Sequence, residues 1–200
     1  MASAFKWGVQ EGYIARSPVT VPRQELAVDP MTIPTRGAID RVTDLVNDGG
    51  AKFMFKGREN TARPNLAVAD MMRIALWAGP RVSEIGGLVV GDIDLAADFI
   101  HVRAQLSRDG KHRAPVKSDY SRRDIPIAPA LKPTLRRLTA GREPEEWLIV
   151  SQNGNPIQAS HAGKVVRIAA EYVGAPDVHF HALRHYFVSS LLTAGVAVQD

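Results

Sequence analysis

Two hundred residues, 45% hydrophobic and 23% charged, suit one good-sized soluble domain, or one domain plus a fragment of another. Zero cysteines exclude a disulfide scaffold and thiolate metal sites, no segment is as long as a membrane span, and residue 1 onward lacks the plan of a signal peptide. A net charge of +4 and an isoelectric point near 9.6 permit nucleic-acid binding without requiring it.

Phe5, Val9 and Tyr13 recur four apart with Trp7 beside them, which predicts a helix over 4–13. Pro18, Pro22, Pro30 and Pro34 forbid a helix and predict an extended linker. Thr35 is placed to cap a helix to about residue 47, with Ile39, Val42, Leu45 and Val46 on one face. Gly49, Gly50 and the basic stretch 52–63 predict a loop or short hairpin. Pro64 opens a strongly apolar helix that Gly79-Pro80 breaks, leaving Arg81 at a sharp turn before a short helix over 83–88. Segments 97–106 and 122–127 read as strands, with room for another short strand between them. A helix over 129–138, a strand over 146–151 and a turn at Gly154-Asn155-Pro156 come next. Ser160 is placed to cap a helix to about 173, and the last helix runs from about 182 to 194, ending at Gly195. The expected fold class is α+β, mainly helical, with one small antiparallel sheet.

The residues that could do chemistry are cations and histidines. A phosphodiester under in-line attack gathers charge on its non-bridging oxygens, which planar guanidinium groups bind two at a time. Arg81 and Arg184, brought together from distant segments, could serve, and His181 and Lys117 could move the protons. Each has a plainer reading. An arginine after Gly-Pro can cap the preceding helix, a lysine can guard a strand edge, and a His and an Arg three apart arise often by chance. His179, His181 and His185 could suggest a metal, but no third ligand stands in a recognisable pattern with His181 and His185. Asp92 and Asp94 read as turn residues. Arg103, Arg108, Lys111, His112, Arg113, Lys117, Arg122 and Arg123 crowd one stretch that composition alone makes a solvated face.

In chain order these segments resemble the tyrosine recombinases, the phage-integrase family. Gly79-Pro80-Arg81-Val82-Ser83-Glu84, then Leu88 and Asp92-Ile93-Asp94, resembles the family's first arginine box. Pro80 stands there where an apolar residue is usual. Lys117 followed by Ser121-Arg122-Arg123-Asp124-Ile125-Pro126-Ile127 resembles its hairpin lysine and the strand after it. His181-Ala182-Leu183-Arg184-His185, with the helix through Leu191-Leu192 to Ala194-Gly195, resembles its HxLRH box. Phe5-Lys6-Trp7 through Ile14-Ala15-Arg16-Ser17-Pro18 resembles the end of its core-binding domain and the linker beyond.

The resemblance implies a tyrosine recombinase-type catalytic domain over 35–200, a core-binding fragment over 1–17 and a linker over 18–34. It implies a site-specific DNA recombinase or integrase that cuts and rejoins double-stranded DNA through a 3′-phosphotyrosyl link, with no metal and no cofactor. Arg81 and Arg184 would hold the scissile phosphate, Lys117 would protonate the departing 5′-oxygen, and His181 would assist proton transfer and bind phosphate. Glu84 would orient Arg81, His185 would play a supporting part, and Arg103, Lys111, Arg113, Arg122 and Arg123 would contact DNA. Family members form tetramers on DNA, away from membranes, in a bacterial cytoplasm and on the nucleoid. The family's Gly-His (or Trp) element and nucleophilic tyrosine are expected after the last helix. Tyr13, Tyr120, Tyr172 and Tyr186 do not stand in the nucleophile's place. The expectation is therefore a catalytic domain truncated before its nucleophile and inactive alone. The alternatives are a DNA-binding remnant that interferes with an intact recombinase and, behind it, a type IB topoisomerase-like protein.

Overall fold

The computed structural model describes residues 33–116 and 121–195, together with Tyr13. The expected helix over 4–13, most of the linker, and Lys117 lie outside the described residues. The chain divides into two compact units, Met1–Thr32 and Ile33–Asp200, and every helix and strand numbered here belongs to the second.

Helix α1 (Arg36–Asp48) starts where the Thr35 hydroxyl accepts a hydrogen bond from the Ala38 amide at 3.2 Å, and it buries Ala38, Ile39, Val42 and Val46. Strands β1 (Lys52–Phe55) and β2 (Arg58–Thr61) form an antiparallel hairpin. Its two-residue loop, Lys56-Gly57, has positive φ at both positions (51° and 74°), the geometry that suits the twist of a hairpin. Helix α2 (Leu66–Ala78) is capped by the Asn65 side chain on the Val68 amide. Val68, Ala69, Met71, Met72, Ile74 and Ala75 are all buried, and so is Asp70, whose carboxylate is paired with Arg73 and Arg137. Such a helix must be central, and it packs against α1 and against the last helix of the chain.

After α2 come a short helix α3 (Val82–Gly86), a 3₁₀ turn at Val90–Asp92, and strands β3 (Ile93–Asp94), β4 (Phe99–Val102), β5 (Ala104–Leu106), β6 (Arg113–Pro115) and β7 (Arg123–Pro126). Among the described residues the strands form the β1–β2 hairpin, one of the two forms expected for 52–63, and two further antiparallel sheets, β3–β4–β7 and β5–β6, where a single small sheet was expected. Ile100 faces Ile125 across β4 and β7, both buried, and this pair ties the sheet to the core. The expected strand over 97–106 is interrupted at Arg103, whose guanidinium donates to the Arg123 carbonyl at 3.0 Å.

A 3₁₀ turn (Pro129–Leu131) leads into α4 (Lys132–Thr139), and α5 (Ala159–Tyr172) and α6 (Phe180–Thr193) complete the domain. The strand expected over 146–151 is not a strand. Leu148 and Ile149 are both buried, so the run has core on either side rather than the alternation of a half-buried strand. It makes only isolated bridges, Val89 to Trp147 and Val150 to Pro156. Helix α5 begins one residue before Ser160, from an extended Gln158 with no side-chain cap. Helix α6 begins two residues earlier than expected, because the His179 ring accepts from the Ala182 amide at 3.2 Å and acts as the cap. His181 thus lies in the first turn of α6. Among the described residues no helix is long and apolar enough to cross a membrane.

Candidate functional site

The turn after α2 and the first half of α6 meet at Gly79. This residue ends α2 in the left-handed region (φ 69°), and a Cβ built on it would lie 2.3 Å from Cδ1 of Phe187. Only glycine fits both the backbone and the close approach of α6. Arg184, almost one helical turn before Phe187, donates from Nη1 to the Gly79 carbonyl. Two residues past Gly79, Arg81 is extended (φ −69°, ψ 149°) and forms the N-cap of α3.

Glu84, in the first turn of α3, gathers the site. Its Oε2 accepts from the Arg81 backbone amide at 2.8 Å and its Oε1 from Arg81 Nη1 at 2.9 Å. Arg123, from β7, donates Nη2 to Oε2 at 2.7 Å and Nη1 to Oε1 at 3.3 Å, and Nη1 also reaches the Ser121 carbonyl at 2.9 Å. Glu84 is only 2% exposed. Burial by itself would raise its pKa, but the hydrogen bonds of Arg123 and Arg81 and the charge of Arg123 outweigh it and hold the carboxyl below its ordinary 4.5. The pKa of Arg184 is lowered too, which for a cation works against the charged form. Its burial, then the positive charges of Arg123 and Arg81, lower its pKa, with Glu84 opposing; a guanidinium so placed remains a cation. One carboxylate balances one of three guanidinium groups, which leaves an excess of positive charge open to an anion.

Three histidines stand on the same end of α6. His181 and His185 share an Nε2–Nε2 hydrogen bond of 2.8 Å, with ring centroids 4.2 Å apart at 89°. One ring must donate and the other accept, so the bond is incompatible with both rings carrying two protons. Burial, followed by the neighbouring His181 and Arg184, lowers the pKa of His185. Burial and His181 likewise lower that of His179, against the opposing charge of Asp177. Among the described residues no group of His, Asp and Glu has a geometry that could hold a metal ion.

The structure therefore brings Arg81, Glu84 and Arg184 together, with His181 and His185 on the helix that carries Arg184. Arg123, expected among the DNA contacts, is turned inward onto Glu84. Arg113 donates to Asp92 at 2.7 Å, and Asp92 also accepts from the Val89 amide at 3.0 Å. Arg103 pairs with Asp124, which also holds His101 Nδ1 at 2.7 Å. Lys111 and Arg122 are exposed. Tyr186 packs against the core from α6, Tyr172 is exposed at the end of α5, Tyr13 belongs to the other unit, and Tyr120 lies outside the described residues.

A mainly helical α+β domain with small antiparallel sheets, carrying one arginine after its central helix and another on its last helix, defines a tyrosine recombinase-type catalytic fold. The fold matches the Tn1549 transposon integrase solved with circular intermediate DNA at a TM-score of 0.69 and 22% identity, over 98% of this chain and 64% of that one. It also matches the integrase of mycobacterium phage Brujita at a TM-score of 0.56 and 18% identity, over 98% and 56%. Residues 58–200 match the model of the phage integrase family, and the chain belongs to that family. Its sequence is 26% identical to the transposase of transposon Tn916 from Enterococcus faecalis, over 98% of this chain and 50% of that protein. It is 28% identical to the tyrosine recombinase XerC of a Mycobacterium strain, over 94% and 59%. The chain thus spans about half the length of these relatives.

Proposed function

We propose that this chain binds double-stranded DNA and forms the phosphate-holding part of a site-specific recombinase. The observation that carries the reading is the convergence of Arg81, Arg123 and Arg184 on one buried glutamate, with more positive charge than Glu84 can balance. Preorganised cations of this kind stabilise the charge that builds on a phosphate in the transition state. Arg81 and Arg184 bind the two non-bridging oxygens of the scissile phosphate, and Glu84 orients Arg81. In the reaction a tyrosine oxygen attacks phosphorus, the bond to the 5′-oxygen breaks, and that oxygen takes a proton from Lys117. His181 binds phosphate and assists proton transfer, with His185 behind it. Religation runs the same steps backwards and conserves the bond energy in the 3′-phosphotyrosyl link.

The tyrosines favour a second element of the reading. Tyr186 is committed to the core side of α6 and Tyr172 sits on the far end of α5. We assign the attacking role to none of the four tyrosines in this sequence, so the chain binds DNA and does not cut it unaided. The same reading assigns 1–17 to the end of a core-binding domain, 18–34 to its linker and 35–200 to the catalytic domain. It also includes tetramers on DNA and residence on the nucleoid. Lys111 and Arg122, both exposed, add contacts to the DNA backbone.

Two measurements test this. Duplex affinity falls by on the order of a hundredfold or more between about 50 and about 200 mM salt, as bound phosphates release counterions. A nicked suicide duplex yields no covalent adduct. Salt-insensitive binding sinks the DNA reading, and an adduct mapped to any of the four tyrosines sinks the assignment of the nucleophile.

A further inference from the structure

We infer that Arg123 is a positioning residue: through its two-pronged grip on Glu84 it fixes Arg81 in the orientation in which Arg81 meets a phosphate. The inference rests on the phosphate-holding role proposed above for Arg81.

Three observations lead to it. First, strand geometry turns Arg123 inward. Along β7, Arg123 shares a face with the buried Ile125, while Asp124 and Pro126 point the other way and are exposed. Second, Arg123 is anchored at both ends. Its carbonyl accepts from Arg103 Nη1 at 3.0 Å, and its guanidinium reaches the Ser121 carbonyl and both oxygens of Glu84. Third, Glu84 is a bridge between two elements that are 39 residues apart in sequence. Each oxygen accepts one bond from Arg123 on the sheet side and one from Arg81 on the helix side.

The two arginines are not equivalent. The Arg81 side chain is 49% exposed and can still meet a ligand, whereas that of Arg123 is 26% exposed and its Nη atoms are already engaged. Among the described residues the charged groups that face Glu84 are Arg81 from the start of α3, Arg123 from β7 and Arg184 from α6. Of these, Arg123 does most to keep the buried carboxylate ionised. A protonated Glu84 would give up one of its two bonds to Arg81, because the oxygen that carries the hydrogen becomes a donor. Arg123 therefore acts on the phosphate contact at second hand.

The test is read on the whole chain with the glutamate side-chain carboxyl carbons labelled with ¹³C, by following the Glu84 resonance through an acid titration without DNA. Arg123→Gln removes the charge and moves the Glu84 midpoint upward, by about tenfold or more in its dissociation constant. Arg123→Lys keeps the charge, gives up the fork and moves it part way. Should the Gln variant not fold, the Lys variant decides. An unmoved Glu84 midpoint in the folded variants overturns the inference. In duplex binding at pH 7, Arg123→Gln lowers the salt slope no further when it is added to Arg81→Gln, because both changes act on the one phosphate contact of Arg81. A double variant whose slope falls further, by about 0.9, would mean a direct phosphate contact by Arg123 and would also overturn the inference. If the wild type fails to bind DNA while the titration shifts as expected, the phosphate reading fails and the coupling of Arg123 to Glu84 stands.

Discussion

Replacing Arg184 or Arg81 by alanine, in a form of the protein that carries an attacking tyrosine, lowers strand cleavage by about a hundredfold to a thousandfold. Duplex affinity stays within a few fold. The separation comes from what the cluster does. Many contacts share the work of binding a duplex, but only groups on the reacting phosphate meet the charge that develops during attack. Arg184 is the more sensitive of the two. It is partly buried between two other cations and is tied to the Gly79 carbonyl, so it is already aimed before a ligand arrives. Arg184→Lys recovers little, because a single ammonium cannot reproduce a planar fork. Single-turnover cleavage and a filter-binding isotherm on the same preparation check both halves. Normal cleavage by either alanine variant removes the basis of the assignment.

Glu84→Ala is the most destabilising single change expected at the site. It leaves Arg81 and Arg123 side by side without their shared carboxylate, and it strips the Arg81 amide of its partner. Breaking a buried pair by removing one member costs about 3–5 kcal/mol. Here both arginines keep some contact with water, which reduces the loss to about 2–4 kcal/mol. For a chain of this size that is a fall in Tm of roughly 4–16 °C. The effect depends on pH in a definite direction. The folded pKa of Glu84 lies below its ordinary 4.5, so its stabilisation is present in full above that value and is lost as the pH falls through the folded pKa. Thermal unfolding followed from pH 7 down to about 3 should show wild type losing this advantage in acid. Glu84→Gln should show a flatter curve. Parallel curves for the two proteins would mean that Glu84 is not held ionised by the arginines.

Much of this architecture can be read from local chemistry. Thr35 and the glycine at 79 mark helix ends by mechanisms that need no tertiary knowledge, and the strongly apolar character of α2, interrupted only by Asp70 and Arg73, announces a buried helix. The pairing of Arg81 with Glu84 is also local, since they are three residues apart at a helix start. What sequence hides is the inward turn of Arg123. Arg122 and Arg123 look alike within a basic run, and the partner of Arg123 is far along the chain. One signal distinguishes them: on a strand, Arg123 lies two residues before the apolar Ile125 and so shares its face, and Arg122 does not. The start of α6 is hidden for a similar reason. Histidine is an uncommon cap, and only the folded ring shows its nitrogen on the Ala182 amide. The segment at 146–151 has strand-like residues, but no neighbour extends a ladder to it beyond single bridges.

If Arg81 and Arg184 close on one phosphate while Glu84 and Arg123 stand behind them, a crystal structure of the chain bound to a DNA duplex will show it most directly. A single backbone phosphate is expected within hydrogen-bonding distance of both the Arg81 and Arg184 guanidinium groups, with Arg123 still on Glu84. A duplex bound on another face, with the arginine cluster touching no phosphate, would contradict this arrangement.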